Sequence, residues 1–258
     1  MRRGLAPSRE RARAAIAAGQ VLVGGASADK PSRLVAVDDP VRLVGPPARF
    51  VSRGGEKLDA ALDRFRVDVA GWRAVDAGAS TGGFTDCLLQ RDAACVYAVD
   101  VGYGQLHPKV RSDPRVTVLE RTNVRDLKVA DVDGAPVEIV VADLSFISIR
   151  TVVPALLGVV GPGGDLVALV KPQFEAGRAD VGRGRGVVRD PTVWARVLEE
   201  VRDALAALGA AMLGLMVSPL TGAEGNVEFL THVRAHVGGE PTVDVAAAVA
   251  EALTVHGG

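Results

Sequence analysis

Short apolar segments alternate with helical segments from residue 73 onward, and this alternation constrains the fold more than any other feature of the chain. Apolar strands separated by helices are typical of a mostly parallel sheet that is covered on both faces. The sequence therefore predicts an α/β domain. The predicted strands are Arg73–Asp76, Val96–Asp100, Val116–Leu119, Glu138–Asp143, Asp165–Val170, Ala211–Ser218 and Val227–Val233. The predicted helices are Gly83–Gln90, Pro108–Arg111, Ile149–Leu157 and Val193–Leu208.

A glycine-rich loop follows the first of these strands, with the sequence Asp-Ala-Gly-Ala-Ser-Thr-Gly-Gly-Phe at positions 76–84. Open α/β sheets bind ligands at the carboxyl ends of their strands, and small residues let the backbone approach a cofactor. The spacing matches neither G-x-G-x-x-G nor a Walker loop, which disfavours a dinucleotide or a nucleoside triphosphate. Asp100 ends the second strand, where a carboxylate can accept hydrogen bonds from ribose hydroxyls. A solvated aspartate at a strand end is the alternative.

Two charged residues stand at the ends of later strands. Asp143 ends the fourth predicted strand and Lys171 follows the fifth, so both are expected at the same sheet edge as the glycine-rich loop. A lysine in this position often marks only the point where a buried strand reaches water. A lysine between carboxylates in a cleft can instead stabilise a developing alkoxide. The strand pattern alone leaves both interpretations open.

The first 50 residues, which we call the basic head, differ from the rest in charge. They hold nine Arg or Lys and four Asp or Glu, a net charge of +5, whereas the remainder carries −6. Such a distribution favours a polyanionic partner for the head. Glycine and proline at residues 45–47 indicate a boundary. The pattern predicts a helix over Arg9–Ala18 and short strands over Val21–Val23, Leu34–Val37 and Val41–Val44.

Several classes of protein do not fit the sequence. No leading apolar segment resembles a secretory signal, and no apolar run approaches the roughly 20 residues needed to span a bilayer. Cys87 and Cys95 are predicted to be free thiols, and neither they nor the four histidines have zinc-ligand spacing. We therefore expect a cytoplasmic protein that uses no metal and does not associate with membranes.

Six motifs are spread over nearly the whole chain: the loop at 76–84, Asp-Val-Gly-Tyr-Gly-Gln-Leu (100–106), Glu-Arg-Thr-Asn (120–123), Ala-Asp-Leu-Ser-Phe-Ile-Ser (142–148), Lys-Pro-Gln-Phe-Glu (171–175) and Gly-Asn-Val-Glu (225–228). In combination they resemble the TlyA family, in which an S4-type RNA-binding domain precedes an FtsJ-like methyltransferase domain. The resemblance implies a small α+β domain over 1–46, a linker over 47–52 and a catalytic domain over 53–258. The implied catalytic fold is α/β and Rossmann-like, with a mostly parallel seven-stranded sheet and helices on both faces.

The resemblance also implies an activity. TlyA-type proteins use S-adenosylmethionine, without a metal, to methylate cytidine 2′-hydroxyls in 23S and 16S ribosomal RNA. The implied partner is ribosomal RNA in ribosomal subunits, with no membrane and no stable protein partner. Family members have also been labelled haemolysins, and a membrane-active haemolysin is one alternative, although the sequence contains no amphipathic or spanning segment that would support it. A non-catalytic RNA-binding or assembly factor is the other alternative. The choice of subunit and nucleotide stays open.

A Lys-Asp-Lys-Glu tetrad is the signature of FtsJ-like enzymes, and the motifs match it to Lys57, Asp143, Lys171 and Glu228. The resemblance implies that Lys171 helps to deprotonate the ribose 2′-hydroxyl and stabilises the alkoxide. Asp143 and Glu228 would hold Lys171, and Lys57 would orient the substrate. By local pattern alone, Lys57 is predicted to be an exposed helix residue and Glu228 a polar residue of an edge strand.

The resemblance further implies which residues bind the two substrates. The cofactor residues are expected to be Gly78, Ser80, Gly82, Gly83, Phe84, Asp100, Val101, Asn123, Asp143 and Leu144. Phe84 could equally be a core residue at the start of a helix. The RNA-binding residues are expected to be Arg3, Arg9, Lys30 and Arg33. Each of these four also fits a solvated surface charge, but together they can contact phosphates, which position RNA without specifying its sequence.

Overall fold

A computed structural model describes residues 3–6, 9–17, 19–28, 30–45, 48–177, 186–222, 224–237 and 243–256. The chain divides into two compact units, Met1–Arg49 and Phe50–Gly258. Phe50, inside the stretch predicted as a linker, is buried in the core of the larger unit.

The smaller unit contains one helix and a three-stranded antiparallel sheet with strand order β2-β1-β3. Its elements are α1 (Arg9–Ala17), β1 (Val21–Val23), β2 (Ala26–Ser27) and β3 (Val41–Leu43). The predicted strand over Leu34–Val37 is wrong, because these residues pair with no strand and Leu34 and Val37 are almost fully exposed. The carbonyls of Ala36 and Val37 accept hydrogen bonds from the Arg3 guanidinium at 2.6 and 2.8 Å instead of from a neighbouring strand.

The larger unit is built on a seven-stranded sheet with strand order β6-β5-β4-β7-β8-β10-β9. Its strands are β4 (Arg73–Ala77), β5 (Cys95–Asp100), β6 (Val116–Glu120), β7 (Val137–Ala142), β8 (Val160–Val170), β9 (Ala211–Val217) and β10 (Phe229–Arg234). Among these strands β10 runs opposite to the other six, so it pairs antiparallel with both β8 and β9. The central strands are mostly apolar and buried, which suits a sheet that is covered on both faces. This order and direction confirm the predicted Rossmann-like fold.

Helices cover both faces of this sheet. They are α2 (Gly54–Phe65), α3 (Gly83–Gln90), α4 (Pro108–Arg111), α5 (Ile149–Val159), α6 (Pro172–Glu175), α7 (Pro191–Ala207) and α8 (Val245–His256). One apolar core includes residues of α5, α7 and α8, and a second includes residues of α2, α3 and α4. α7 shows how the sequence dictates a helix, since Asp190 caps its first turn, Pro191 occupies its first position and apolar residues recur on the buried side.

Strand direction gathers the loops of interest at one edge of the sheet. The carboxyl ends of β4, β5, β7 and β8 lie there because these strands are parallel. β10 is antiparallel and begins at the same edge, where Phe229 pairs with Val170. Glu228, directly before β10, is therefore next to the end of β8. The prediction that Glu228 belongs to an edge strand is wrong, because β10 lies between β8 and β9.

Candidate active site

The glycine-rich loop is anchored by Asp76, which is fully buried at the end of β4. One carboxylate oxygen, Oδ2, accepts hydrogen bonds from the Thr85 backbone N–H at 2.8 Å and from the Thr85 hydroxyl at 2.6 Å. The other oxygen, Oδ1, has no hydrogen-bond partner in the described part of the chain. A buried carboxylate oxygen without a partner is costly, and such an atom in a native fold calls for a ligand or a special function.

Burial raises the pKa of Asp76 from 3.8 to about 7, because the charged carboxylate is removed from water. The negative charges of Asp143 and Asp100 raise this pKa further, while the two hydrogen bonds from Thr85 lower it. A cationic ligand group near Asp76 would favour the ionised carboxylate. Perturbed acids of this kind are concentrated at functional sites.

Asp100 connects two loops at the same edge of the sheet. Its Oδ2 accepts the Ser80 N–H at 2.8 Å, and its Oδ1 accepts the Gly102 N–H at 2.6 Å. A recess lies between these loops, and its lining includes Ala79, Ser80, Asp100, Gly102, Gln105 and Leu106. The sequence interpretation did not include Gln105 among the site residues, although it belongs to one of the quoted motifs.

Gly82 and Gly83 are needed for contacts within the protein. Gly82 has φ +90°, and a Cβ there would lie 2.7 Å from Leu106 Cδ1. A Cβ on Gly83 would overlap the Ser52 hydroxyl and lie 3.0 Å from the Gly55 backbone nitrogen, so α2 and α3 approach closely at this point. Glycine is required at both positions by backbone geometry and packing, whether or not a ligand approaches them.

The other expected cofactor residues occupy different environments. Phe84 is 3% exposed and belongs to the apolar core that α2 and α3 share, which favours its interpretation as a core residue. Val101 is exposed, and Leu144 is partly buried. The Asn123 side-chain oxygen accepts the Arg125 N–H at 3.1 Å and caps a short 3-10 turn. Gly78 follows β4 directly, where the Asp143 N–H donates to the Ala77 carbonyl at 3.1 Å.

The four tetrad residues form two ion pairs. Lys171 Nζ lies 2.5 Å from Asp143 Oδ1 and donates to the Ser145 hydroxyl at 3.2 Å. Lys57 Nζ lies 2.6 Å from Glu228 Oε2. Lys57 is buried, so its prediction as an exposed helix residue is wrong. The expectation that Glu228 holds Lys171 also needs correction. Within the described ranges, the lysine that lies within 4 Å of the Glu228 carboxylate is Lys57.

An aromatic pair, the exposed Phe146 and the half-buried Phe174, borders the lysine of the first ion pair. The Phe146 side chain is 92% exposed, and its ring lies 5.3 Å from the ring of Phe174. Lys171 Nζ is 6.0 Å from the centroid of Phe174. Phe146 has φ +64°, a backbone conformation that is strained for a residue with a bulky side chain. The sequence interpretation used neither aromatic residue, although both lie inside quoted motifs.

The four expected RNA-binding residues of the smaller unit have different surroundings. Arg3 uses its guanidinium to hold the loop at residues 36–39, and Arg33 donates to the Ser27 carbonyl at 2.9 Å. Both therefore have a structural role within the unit. Arg9 and Lys30 are exposed to solvent.

No cluster of three or more His, Cys, Asp or Glu residues with the geometry of a metal site is present in the described ranges. No helix in those ranges is both long enough and apolar enough to cross a membrane.

Comparison with known proteins assigns both parts of the chain. The model of FtsJ-like methyltransferases matches residues 50–235, and the S4 domain model matches residues 2–41. The 16S/23S rRNA (cytidine-2′-O)-methyltransferase TlyA of Mycobacterium tuberculosis is 51% identical over 235 residues, which cover 91% of this chain and 87% of TlyA. The chain belongs to the TlyA family of FtsJ-like methyltransferases. The resemblance inferred from the motifs is thereby confirmed.

Two further relatives span most of the chain. YqxC of Bacillus subtilis is 50% identical over 231 residues, covering 90% of this chain and 82% of YqxC. A solved structure from Streptococcus thermophilus, described as a hemolysin, has a TM-score of 0.82 and 40% identity and covers 98% of this chain and 93% of its own. The chain is therefore an enzyme of the methyltransferase class with an S4 domain at residues 2–41.

Proposed function

We propose that this protein transfers a methyl group from S-adenosylmethionine to the 2′-hydroxyl of a cytidine in ribosomal RNA. The observation that carries the proposal is the ion pair between Lys171 and Asp143, which lies at the sheet edge next to the glycine-rich loop. TlyA of Mycobacterium tuberculosis, named for this reaction on 16S and 23S rRNA, supports the choice of substrate.

The residues around the recess fit S-adenosylmethionine. When bound, this cofactor supplies an electrophilic methyl group on a sulfonium sulfur. The unpartnered Oδ1 of Asp76 suits a cationic group such as the cofactor's ammonium. Asp100 already orders the loops that start at Gly78 and Val101, and its carboxylate retains lone pairs for ribose hydroxyls.

Lys171 is assigned to the chemical step. The residue is 7% exposed and its ammonium is held by Asp143 and Ser145, so its charge has a fixed position. A fixed positive charge next to the reacting 2′-oxygen stabilises the alkoxide that develops as the hydroxyl loses its proton. Asp143 keeps Lys171 in place, and its carboxylate takes up the proton that the 2′-hydroxyl loses as the oxygen bonds to the methyl group.

Lys57 and Glu228 are assigned to substrate positioning. The two side chains neutralise each other in a buried environment, and Glu228 directly precedes the strand that pairs with the end of β8. This pair therefore borders the Lys171 side of the site. A preorganised pair that holds the ribose in line with the methyl donor contributes to the rate through orientation.

Two features suit an RNA substrate. The basic head carries a net charge of +5 and includes the exposed Arg9 and Lys30, which can contact phosphates. The exposed ring of Phe146 gives an unpaired base a surface on which to stack next to Lys171.

Methyl transfer to purified ribosomal subunits tests the proposal. Wild-type protein, labelled S-adenosylmethionine and 30S or 50S subunits should give label in the RNA. Under single-turnover conditions Lys171→Ala should be slower by about 10²- to 10³-fold, the loss expected for one removed oxyanion-stabilising group. Lys171→Arg should not restore the rate, because the broad planar guanidinium places its charge differently from the compact ammonium of lysine.

The matched control is Lys128→Ala, which removes an exposed lysine outside the site and should match the wild type. Binding of subunits without any transfer would instead favour a non-catalytic RNA-binding factor. A folded Lys171→Ala protein that methylates within about threefold of the wild type would remove the assigned role of Lys171, since threefold is well under 1 kcal/mol.

A further inference from the structure

Two of the family motifs meet through residues that the proposed chemistry does not use. Motif 142–148 ends at Ser148, the N-cap of α5, and motif 171–175 ends at Glu175, the last residue of α6. Glu175 Oε2 accepts the Ser148 hydroxyl at 2.5 Å, and its Oε1 accepts the Ile149 N–H at 2.5 Å. The ends of the two motifs are therefore connected by one carboxylate.

Arg150 strengthens this connection. Its Nε donates to Glu175 Oε2 at 3.2 Å, and its Nη2 donates to the Glu175 backbone carbonyl at 3.0 Å. Glu175 is 7% exposed, so the carboxylate is buried and surrounded by donors. Removing a buried acceptor leaves its donors unpaired, which costs much more than losing an exposed hydrogen bond.

The same two segments are also joined at the site. Asp143 and Ser145 from the first segment bind Lys171 from the second. The first segment is thus fixed at both ends against the second, by Lys171 at one end and Glu175 at the other. Phe146, with its strained backbone, lies between these connections. A strained residue persists only when the surrounding structure determines its conformation.

We propose that Glu175 is a positioning residue that fixes Lys171 and Asp143 relative to each other by holding their two segments together. It touches neither the cofactor recess nor the Lys57–Glu228 pair in the described contacts. As a role in catalysis, this inference rests on the proposed function. The connection itself can be tested without any methyl transfer.

The first test is kinetic and uses the full chain. Glu175→Gln should lower the single-turnover methylation rate at saturating cofactor and subunits by about 10- to 100-fold, as expected when reacting groups are displaced by around 1 Å. The Kd values for S-adenosylmethionine and for the subunits should stay within about twofold of wild type, because these ligands are held mainly by other residues. Glu175→Asp should restore part of the rate.

The matched control is Glu200→Gln. Glu200 binds the other side of Arg150, with Nη1 to Oε2 at 2.9 Å, and contacts neither segment of the site. This variant should methylate at the wild-type rate. Ser148→Ala is a milder change that should also slow methylation. It replaces Glu175→Gln in the test if Glu175→Gln does not fold.

The second test measures the accessibility of Lys171 by acetylation with acetic anhydride and mass spectrometry. In Glu175→Gln the labelling of Lys171 relative to Lys128 should rise, and in Glu200→Gln it should not. If the wild type transferred no methyl group but Lys171 labelling rose as expected, the proposed function would fail and the positioning role would stand. Equal rate losses in Glu175→Gln and Glu200→Gln, or unchanged labelling of Lys171, would overturn the inference.

Discussion

At the scale of single residues, Asp76 has the most unusual environment in the site. One of its oxygens lacks a described partner, and complete burial raises its pKa, with a further contribution from the carboxylates of Asp143 and Asp100. The fold therefore holds a carboxylate in a place where its charge is unfavourable. A functional site can retain such a residue because a cationic ligand compensates for the cost when it binds.

This environment predicts a pH-dependent effect of Asp76→Asn. The folded pKa of about 7 lies above the ordinary value of 3.8, so the folded protein retains a proton that the unfolded chain has already lost. The free-energy contribution of Asp76 to stability therefore falls as pH rises from about 4 to 7 and stays low above that range. Asparagine does not titrate. The melting temperature of Asp76→Asn minus that of the wild type should therefore be more positive at pH 8 than at pH 5.

Thermal melts of both ligand-free proteins at pH 5 and pH 8 provide the measurement. Other titrating groups contribute equally to both proteins and cancel in the difference. A difference in melting temperature that does not change between the two pH values would show that Asp76 is ionised normally. Asp76→Asn should also weaken cofactor binding, which calorimetry can measure.

Sequence reasoning located those proposed site residues whose position follows from local pattern. The glycine-rich loop, Asp100, Asp143 and Lys171 all stand at strand ends, and parallel strands bring such ends to one edge. Lys57 and Glu228 could not be found in this way. They are 171 residues apart and are buried because each neutralises the other, which no local pattern records. Only the resemblance to a family indicated them.

At the scale of elements, the Lys57–Glu228 pair connects α2 to the start of β10. Both side chains are at most 10% exposed, so the pair has lost most of its hydration. Such a pair adds little stability compared with apolar residues, but loss of one partner leaves an uncompensated buried charge.

Lys57→Met should therefore lower the free energy of unfolding by about 3–5 kcal/mol. The double variant Lys57→Met with Glu228→Leu should recover much of this loss, since no buried charge remains. The control is Arg64→Ala, which breaks the exposed Arg64–Glu251 pair at 3.9 Å and should cost less than about 1 kcal/mol. Urea unfolding of the wild type, Lys57→Met, Glu228→Leu, the double variant and Arg64→Ala measures these values. Additive losses in the double variant would argue against a coupled buried pair.

Most elements of the larger unit were predictable because their apolar patterns are strong. α8 was not predicted, because its sequence is rich in alanine and its apolar residues mark no distinct face. β8 begins at Val160, five residues earlier than the predicted start at Asp165, in a glycine-rich stretch without a strand pattern. In the smaller unit, Leu34–Val37 has strand-forming residues, but Arg3 occupies two of its carbonyls. In that case the hydrogen bonds from Arg3 override the local preference of these residues for a strand.

At the scale of the whole molecule, the charge distribution separates the two proposed tasks. The basic head has a net charge of +5 and the remaining residues −6, so electrostatic attraction to RNA is concentrated in the head. The S4 domain match to residues 2–41 agrees with this distribution. The proposed catalytic and cofactor residues all lie in the oppositely charged part.

The affinity for ribosomal subunits should therefore depend on salt and on exposed basic residues of the head. The combined change Arg9→Ala and Lys30→Ala should weaken subunit binding and reduce the slope of log Kd against log salt by about 1 per lost phosphate contact. The Kd for S-adenosylmethionine should not change. Arg3→Ala is expected to act differently, by destabilising the loop at 36–39 that its guanidinium holds. A salt slope that stayed unchanged in the double variant would show that other residues contact the phosphates.

The position of the transferred methyl group tests the central claim most directly. Ribosomal subunits that lack the modification are incubated with S-adenosylmethionine and either wild-type protein or Lys171→Ala, and the RNA is digested to nucleosides for mass spectrometry. The account predicts 2′-O-methylcytidine with the wild type and almost none with Lys171→Ala. Methyl groups on bases in place of ribose, or equal amounts of 2′-O-methylcytidine from both proteins, would contradict it.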